Sequence, residues 1–299
     1  FLKSSLGIRQ DFVAADAALA GINRYSRPHS PLAADAAWAE ITLGSIVVNT
    51  VANAVDLENG DPLPTCWHWL FFNRGVKLES LRVDGTYADS DYMPPISSPL
   101  RMWVGNKIEI GKFLTIGSLA KRISTIEEVI EKKGSSGRLI FLRERTEITD
   151  DRNGVLTDWR TLVFRDGAKG SIRHKKNLVP RKGIWRQEIN PDPILLFRYS
   201  ALTFNSHRIH YDQEYTKSVE GYPELLVHAP LTATLLLNLL RQEMPLAQIK
   251  QIDLRAIAPI FANQSFSIIG MPSEDKKNIQ LWAETNDGNL ALTLDALLA

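Results

Sequence analysis

The segment APLTATLLLNLLRQ, residues 229–242, is a strongly apolar stretch whose proline suits the first turn of a helix. Four segments with the alternating, β-branched pattern of strands follow it: QIKQIDLRAIAPI (248–260), QSFSIIG (264–270), KNIQLWAET (277–285) and NLALTLDALL (289–298). Asp287-Gly288 supplies a hairpin signal before the last segment. This order predicts one long helix packed against an antiparallel sheet.

The first half of the 299-residue chain repeats the plan. Its strand candidates are RMWVGNKIEI (101–110), SLAKRISTIEEVIEK (118–132), RLIFLRERTEIT (138–149) and VLTDWRTLVF (155–164), with the hairpin signal Asn153-Gly154 between the last two. The aromatic-rich PLPTCWHWLFFNR (62–74) precedes them and is predicted to form a buried helix. The repetition predicts an internal duplication, a sheet around a central helix made twice. Joining the two sheets edge to edge would also cover exposed strand edges.

We predict four regions. Residues 1–44 form an Ala-rich extension whose pieces DFVAADAALA and PLAADAAWAE favour helix. Residues 45–166 form the first repeat and residues 187–299 the second. Residues 167–186 between them carry seven Lys or Arg, which we interpret as a solvated linker in preference to a strip for an anionic cofactor.

Composition narrows the class of protein. A 44% hydrophobic chain of net charge +1 is typical of a folded globule without the field that draws proteins onto nucleic acid. The single cysteine, Cys66, rules out an internal disulfide framework and fits a reducing compartment. With no apolar run of about 18 residues and no signal-like start, we expect a cytoplasmic protein (mitochondrial matrix in a eukaryote) without membrane contact.

The segment FNSHRIHYD (204–212) concentrates His207, Arg208, His210 and Asp212, and it admits three interpretations. It is a solvated loop, a two-histidine, one-carboxylate metal site, or a site of proton transfer. Because it follows the strand-like ILLFRYSALTF (194–204), an extended backbone would point the two imidazoles to opposite sides. We therefore disfavour the metal site and expect no metal.

Proton transfer requires an imidazole that titrates near neutral pH, which His210 offers. It also requires a group that orients water, which Asn205 offers. N–H donors for a developing oxyanion could come from Ala229 or Leu231 at the start of the helix after His228. We favour this interpretation.

The residues RYSALTFNSHRIHYD (198–212) and GYPELLVHAPLTATLLLNLL (221–240) resemble a group within the MaoC-like hot dog superfamily. This group comprises the type 2 hydroxyacyl-thioester dehydratases and the mesaconyl- and itaconyl-CoA hydratases. DPLPTCWHWLFFN (61–73) and PLRMWVGNKIEI (99–110) resemble its amino-terminal domain. The resemblance implies an α+β double hot dog fold and reversible addition of water to an α,β-unsaturated acyl thioester.

The resemblance also implies site residues. The wider superfamily pairs an aspartate with a histidine five residues later, and these positions hold Asn205 and His210 here. Since an amide cannot accept a proton, His210 would carry it alone, and Ala229 stands where a glycine often begins the helix. Asp212, His207 and His228 are expected to support the catalytic pair. Arg208 and Arg198 are expected to bind substrate. Arg101 is a further arginine that could hold a substrate carboxylate.

We therefore predict a cofactor-free hydro-lyase acting on a short dicarboxylic acyl-CoA such as mesaconyl- or itaconyl-CoA, with catalysis in the second repeat. The alternatives are a 3-hydroxyacyl-ACP or -CoA dehydratase of fatty-acid synthesis and a non-catalytic acyl-thioester-binding module. The expected partner is an acyl-CoA or acyl carrier protein thioester, and the expected assembly is a homodimer. His68, flanked by Trp67 and Trp69, is expected to be a core histidine of a non-catalytic first repeat.

Overall fold

The computed structural model describes residues 36–42, 57–73, 77–87, 94, 96, 100–134, 137–165 and 182–299. Within these residues the strands are β1 (Ala36–Thr42), β2 (Leu100–Lys112), β3 (Leu119–Gly134), β4 (Gly137–Asp150), β5 (Val155–Arg165), β6 (Trp185–Ile189), β7 (Ile249–Ala256), β8 (Phe266–Pro272), β9 (Asn278–Thr285) and β10 (Leu290–Leu298). The α-helices are α1 (Pro193–Leu202), α2 (Gln213–Ser218) and α3 (Ala229–Glu243). Single 3₁₀ turns cover Trp67–Leu70, Leu78–Ser80 and Arg208–His210.

All ten described strands belong to one antiparallel sheet in the order β1-β3-β4-β5-β2-β7-β10-β9-β8-β6. Five strands come from each half, and the two sets meet where β2 pairs with β7. Gly105 lies at this joint, where an added Cβ would stand 1.9 Å from the carbonyl oxygen of Leu254. The expected edge-to-edge union of two sheets is present, and it depends on a residue without a side chain.

Helix α3 lies at the centre of the core. Its buried positions include Leu231, Ala233, Leu236 and Leu240, and it contacts β6, β8, β9 and β10. The same continuous apolar cluster contains side chains of the first half, among them Trp67, Ile108 and Ile148. The predicted helix 229–242 and the strands of both halves are confirmed, and the fold is the expected α+β double hot dog.

The aromatic segment of the first half does not form the regular buried helix that we expected. It makes one 3₁₀ turn, Trp67–Leu70. Cys66 and Phe72, on either side of that turn, have φ values of 71° and 62°, and such left-handed residues interrupt a regular helix. Within the described residues, α3 is therefore the longest helix, and side chains of the first half belong to the same apolar cluster.

Two other local predictions were wrong. ILLFRYSALTF is mostly helical, because Asp192 caps α1 by accepting from the N–H of Leu195 at 2.7 Å and Pro193 begins its first turn. The Ala-rich Ala36–Thr42 is a strand, because it pairs with β3 from Thr125 to Leu119, and this tertiary pairing overrides alanine's helix propensity. The first Ala-rich piece lies outside the described residues.

The predicted region boundaries stay predictions. Most of the expected linker lies outside the described residues, although Trp185 and Arg186 at its end belong to β6. Strand β1 lies inside the expected extension and pairs with the first sheet. Among the helices that the structure describes, none is long and apolar enough to span a bilayer.

Candidate active site

The histidine segment is a compact turn and not the extended strand that we expected. After α1 ends, Phe204 adopts a φ of 51°, and the N–H of Asn205 donates to the carbonyl of Ser200 at 2.8 Å. The 3₁₀ turn Arg208–His210 follows. This turn brings the rings of His207 and His210 together, with centroids 5.6 Å apart in an edge-on arrangement.

A third imidazole comes from the start of the central helix. His228 is the N-cap residue of α3, and its ring stacks on that of His210 with centroids 3.6 Å apart and planes 20° apart. All three histidines line a cavity of about 750 Å³ together with Asn205. The fold thus assembles a cluster that sequence spacing could not reveal, because His228 lies 18 residues after His210.

The hydrogen bonding of His210 determines which nitrogen can act as a base. Its Nδ1 lies 2.8 Å from the carbonyl oxygen of Leu226, which can only accept, so Nδ1 carries the hydrogen. The N–H of Leu226 in turn donates to the carbonyl of Ile209 at 2.9 Å, which holds that acceptor in place. The neutral ring therefore keeps an unprotonated Nε2.

Burial keeps this cluster uncharged. The pKa of His210 is lowered to about 3, first by desolvation and then by His207, while its bond to Leu226 acts in the opposite direction. The expectation that His210 titrates near neutral pH was therefore wrong, because the fold buries the ring. Desolvation is also the main reason why the pKa values of His207 and His228 are lowered. His228 Nε2 lies 2.8 Å from Ser200 Oγ, and its buried Nδ1 has no hydrogen-bond partner among the described residues.

Asn205 presents donors to the cavity. Its Oδ1 accepts from the backbone N–H of His207 at 3.1 Å, which distinguishes the oxygen of the amide from the nitrogen. The NH₂ group is therefore the part of the side chain that remains for a ligand. It can donate to a carbonyl oxygen or to the oxygen of a water molecule.

The start of α3 offers backbone donors at the same cavity. Ala229 and Pro230 line it, and the first N–H with a partner inside the helix is that of Thr232, bonded to the carbonyl of His228 at 3.1 Å. The amides of Ala229 and Leu231 precede that bond, at the positive end of the helix dipole. Leu231 itself is fully buried in the core and is not among the residues that line the cavity, so Ala229 is the predicted donor that the structure places there.

Arg208 and Asp212 contact each other and neighbouring elements of the fold. The Arg208 guanidinium donates to Asp212 at 2.9 and 2.7 Å and lies over the ring of Tyr215. Asp212 also caps α2 by accepting from the N–H of Tyr215 at 2.9 Å. Neither residue lines the cavity, whereas His207 and His210 do, and the supporting role of Asp212 and the substrate-binding role of Arg208 stay predictions. Arg198 is exposed on α1 and also lies outside the cavity lining.

A loop of the first half packs against the histidine segment, which sequence reasoning missed. In this loop, residues 81–87, the carbonyl of Asp84 accepts from the N–H of Arg208 at 2.8 Å. The carbonyl of Gly85 accepts from Ser206 Oγ at 2.5 Å. Gly85 has a φ of 82°, and an added Cβ would stand 1.9 Å from the Ser206 oxygen. In the sequence, Asp84-Gly85 predicts a turn, but it does not indicate that this turn contacts the histidine segment.

The first half also brings arginines to the cavity. Those in its lining are Arg82, Arg101, Arg160 and Arg165, and of these the sequence had suggested only Arg101. The acidic groups in the same lining are Asp84 and Glu220. The cavity therefore combines neutral imidazoles from one half with cationic side chains from the other.

His68 lies in a separate buried network. Its Nε2 lies 3.1 Å from Asp158 Oδ2, which also accepts from the indole N–H of Trp69 at 2.9 Å. Asn106 donates to Asp158 Oδ1 at 2.5 Å and accepts from the indole N–H of Trp103 at 2.5 Å. Of these five residues, only Trp103 lines the cavity.

Known proteins share both the sequence pattern and the fold. The family model for hydroxyacyl-thioester dehydratase type 2 matches residues 66–262. A mesaconyl-C(4)-CoA hydratase from Chloroflexus aurantiacus is 37% identical over 233 residues, which cover 78% of this chain and 82% of that protein. The mitochondrial hydroxyacyl-thioester dehydratase type 2 of Schizosaccharomyces pombe is 26% identical over 228 residues, covering 68% and 75%.

Solved structures agree on the fold. A MaoC-like dehydratase superposes with a TM-score of 0.62 at 13% identity, covering 93% of this chain and 98% of its own. HtdX from Mycobacterium tuberculosis superposes with a TM-score of 0.61 at 15% identity, covering 86% and 97%. At such identities the likeness supports the fold, whereas the family model and the 37% identical relative establish descent. The chain belongs to the hydroxyacyl-thioester dehydratase type 2 family, whose members are hydro-lyases of acyl thioesters.

Proposed function

We propose that this chain reversibly adds water across the double bond of a short unsaturated acyl-CoA that carries a second, free carboxylate, with His210 as the proton carrier. Family membership makes the chain a hydro-lyase of acyl thioesters, and the proposal adds the acyl group and the residues. The observation that carries the proposal is the bond from His210 Nδ1–H to the Leu226 carbonyl, which leaves a basic Nε2 at the cavity. The 37% identical mesaconyl-C(4)-CoA hydratase supports the dicarboxylic acyl group.

In the proposed reaction, the thioester carbonyl accepts hydrogen bonds from the free amides at the start of α3, those of Ala229 or Leu231. These donors and the helix dipole stabilise negative charge on the oxygen, which makes the β-carbon electrophilic. The Asn205 NH₂ group donates to the attacking water. Asn205 and the α3 amides thus orient the water and the acyl thioester relative to each other.

His210 Nε2 then removes a proton from that water as the oxygen bonds to the β-carbon, and the electron pair of the double bond moves onto the thioester as an enolate. The resulting imidazolium returns the proton to the α-carbon, so water is added without any net change in the enzyme. The depressed pKa of His210 favours this return, because the buried cation is unstable. His207 and His228 hold the ring by edge and face contacts.

The same residues support the reverse reaction, and a 3-hydroxyacyl-thioester dehydratase is the second candidate. The 26% identical dehydratase of Schizosaccharomyces pombe favours it. So does the apolar part of the cavity wall, which includes Ile257, Pro259 and Leu292 and could face an alkyl chain. This candidate differs from the proposed hydratase in the acyl group of its substrate and uses the same residues.

A substrate panel tests the proposal. Purified protein is assayed with mesaconyl-C4-CoA, crotonyl-CoA and a medium-chain 2-enoyl-CoA, and loss of the conjugated thioester's ultraviolet absorbance is followed. We expect the highest kcat/KM for the dicarboxylic substrate. A preference for the medium chain would establish the second candidate instead, and no turnover of any thioester would support a non-catalytic binding module.

The homodimer and the cytoplasmic location expected from the sequence stay predictions. Light scattering of the purified chain tests the first. Fractionation of cells that express it tests the second.

A further inference from the structure

The cavity that holds the neutral histidines also has four arginines in its lining. Its cations, Arg82, Arg101, Arg160 and Arg165, come from the first half, whereas its histidines come from the second. The hydration chemistry proposed above uses none of these arginines. Their role must therefore be explained separately.

Protein carboxylates do not neutralise these arginines completely. Arg160 forms an ion pair with the buried Glu144. Arg101, by contrast, has no carboxylate within ion-pair distance among the described residues, although Glu144 and Asp84 are near enough to raise its pKa. Desolvation, followed by repulsion from Arg160, outweighs them and lowers the pKa of Arg101 to about 10. Arg101 is exposed and lines the cavity, so its guanidinium can contact an anion that enters it.

Arg101 lines the same cavity as His207 and His210. Its charge is also one of the causes that lower the pKa of His207. The His207 ring is in turn 5.6 Å from the His210 ring. An anion held by Arg101 would therefore be close to the reacting carbons and not at a distant part of the surface.

We propose that Arg101 binds the free carboxylate of the dicarboxylic acyl group and thereby selects it over neutral enoyl groups. This inference rests on the proposed function, since it names the residue that recognises the acyl group proposed there. The planar guanidinium matches a carboxylate in a two-point hydrogen-bonded pair. The other cavity arginines add positive potential.

A phosphate of coenzyme A offers the same anionic chemistry, so the test must separate the two sources. Four thioesters form a matched set: mesaconyl-C4-CoA, its methyl ester, and the N-acetylcysteamine analogues of both. Esterification removes the carboxylate, and N-acetylcysteamine removes every phosphate. Wild type and Arg101→Met are compared on all four, with Arg186→Met, on an exposed arginine of β6, as the matched control.

We expect Arg101→Met to lower kcat/KM about 10–100-fold on both substrates that carry the free carboxylate, the range for a lost charged hydrogen bond. Activity on both methyl esters should stay within about threefold, which also shows that the variant is folded. Arg101→Lys should fall between the two, and Arg186→Met should match wild type.

Other outcomes would overturn the inference. Losses on both CoA thioesters but on neither N-acetylcysteamine thioester would assign Arg101 to the phosphates. Equal losses on all four substrates, or none, would make it structural. If wild type hydrates only the methyl esters or crotonyl-CoA, the proposed acyl group itself is wrong, whatever the variants do.

Discussion

The two buried histidine sites of this protein differ in what their nitrogens contact. In the first half, His68 Nε2 faces the Asp158 carboxylate, which Trp69 and Asn106 also contact. In the second half, His210 donates from Nδ1 to a backbone carbonyl and keeps Nε2 for the cavity. Both rings are less than a tenth exposed. Burial therefore does not distinguish the two sites. They differ because His210 keeps an unprotonated Nε2 at the cavity, whereas His68 does not line the cavity.

The first half takes part in building the site. Its loop 81–87 bonds directly to the histidine segment through Asp84 and Gly85. It contributes Arg101 as well. The buried polar network of His68 extends to Trp103, which forms part of the cavity wall. The first half thus shapes the site, whereas the proposed proton carrier, His210, belongs to the second half.

The largest effect is expected for His210→Asn. The amide NH₂ can still donate to the Leu226 carbonyl, but the side chain has no basic nitrogen. We expect kcat to fall about 10²–10⁴-fold, the usual contribution of a positioned acid–base group. Enoyl-thioester hydration and circular dichroism are the measurements. If a well-folded variant keeps more than a tenth of wild-type kcat, His210 is not the proton carrier.

Gly85→Ala tests whether the first half positions the site. Its Cβ would stand 1.9 Å from the Ser206 carbonyl oxygen, so the loop must move away from the histidine segment. We expect kcat/KM to fall by up to about 10²-fold, the effect of a small misplacement of catalytic groups. Steady-state kinetics on the preferred thioester is the measurement.

Gly288→Ala is the matched control for this change. Gly288 has a similar φ of 80°, but nothing lies within 4 Å of the position that an added Cβ would take. Both variants should lose about 1 kcal/mol of stability from the left-handed backbone, and only Gly85→Ala should lose activity. Equal kinetics of the two variants would show that the loop does not position the site.

A smaller change in turnover is expected for His68→Gln. The amide can replace at most part of the contact with Asp158, so the free energy of unfolding should fall by about 1–3 kcal/mol. At saturating substrate, kcat should stay within about tenfold of wild type, because His68 does not line the cavity. Chemical denaturation and kcat are measured together. A loss of kcat as large as that of His210→Asn, at unchanged stability, would give the first half a catalytic group.

Acidification should change turnover least. Because the pKa of His210 is lowered to about 3, its base form persists from pH 7.5 to 5.5, and kcat/KM should vary less than about threefold. An ordinary histidine would lose its base form near its usual pKa of 6.5. An acid limb at that pH in the rate profile would contradict the assignment.

The free energy of unfolding should also depend on pH. Below the unfolded pKa of 6.5, the unfolded chain binds protons that the folded chain excludes from His210, His207 and His228. The free energy of unfolding should therefore decrease as the pH falls from 6.5 toward 3. His210→Asn should reduce that slope by up to about 1.4 kcal/mol per pH unit.

The sequence alone determined the parts of this protein that depend on local pattern. Alternating β-branched residues predicted β2–β5 and β7–β10, the apolar run 229–242 predicted α3, and Asn153-Gly154 and Asp287-Gly288 predicted two hairpins. The segment FNSHRIHYD drew attention to His210 and Asn205. These features depend on neighbours along the chain, which is why periodicity and turn chemistry reveal them.

Tertiary structure decided what depends on residues far apart in the chain. Pairing with β3 made a strand of Ala36–Thr42. The stacking of His228 on His210 and the bond from His210 to Leu226 required the chain to fold back after α2. Gly85 and Ser206, 121 residues apart, meet only because both halves share one sheet and one core. The bond to Leu226 decides which nitrogen of His210 stays free, and no local sequence pattern encodes that bond.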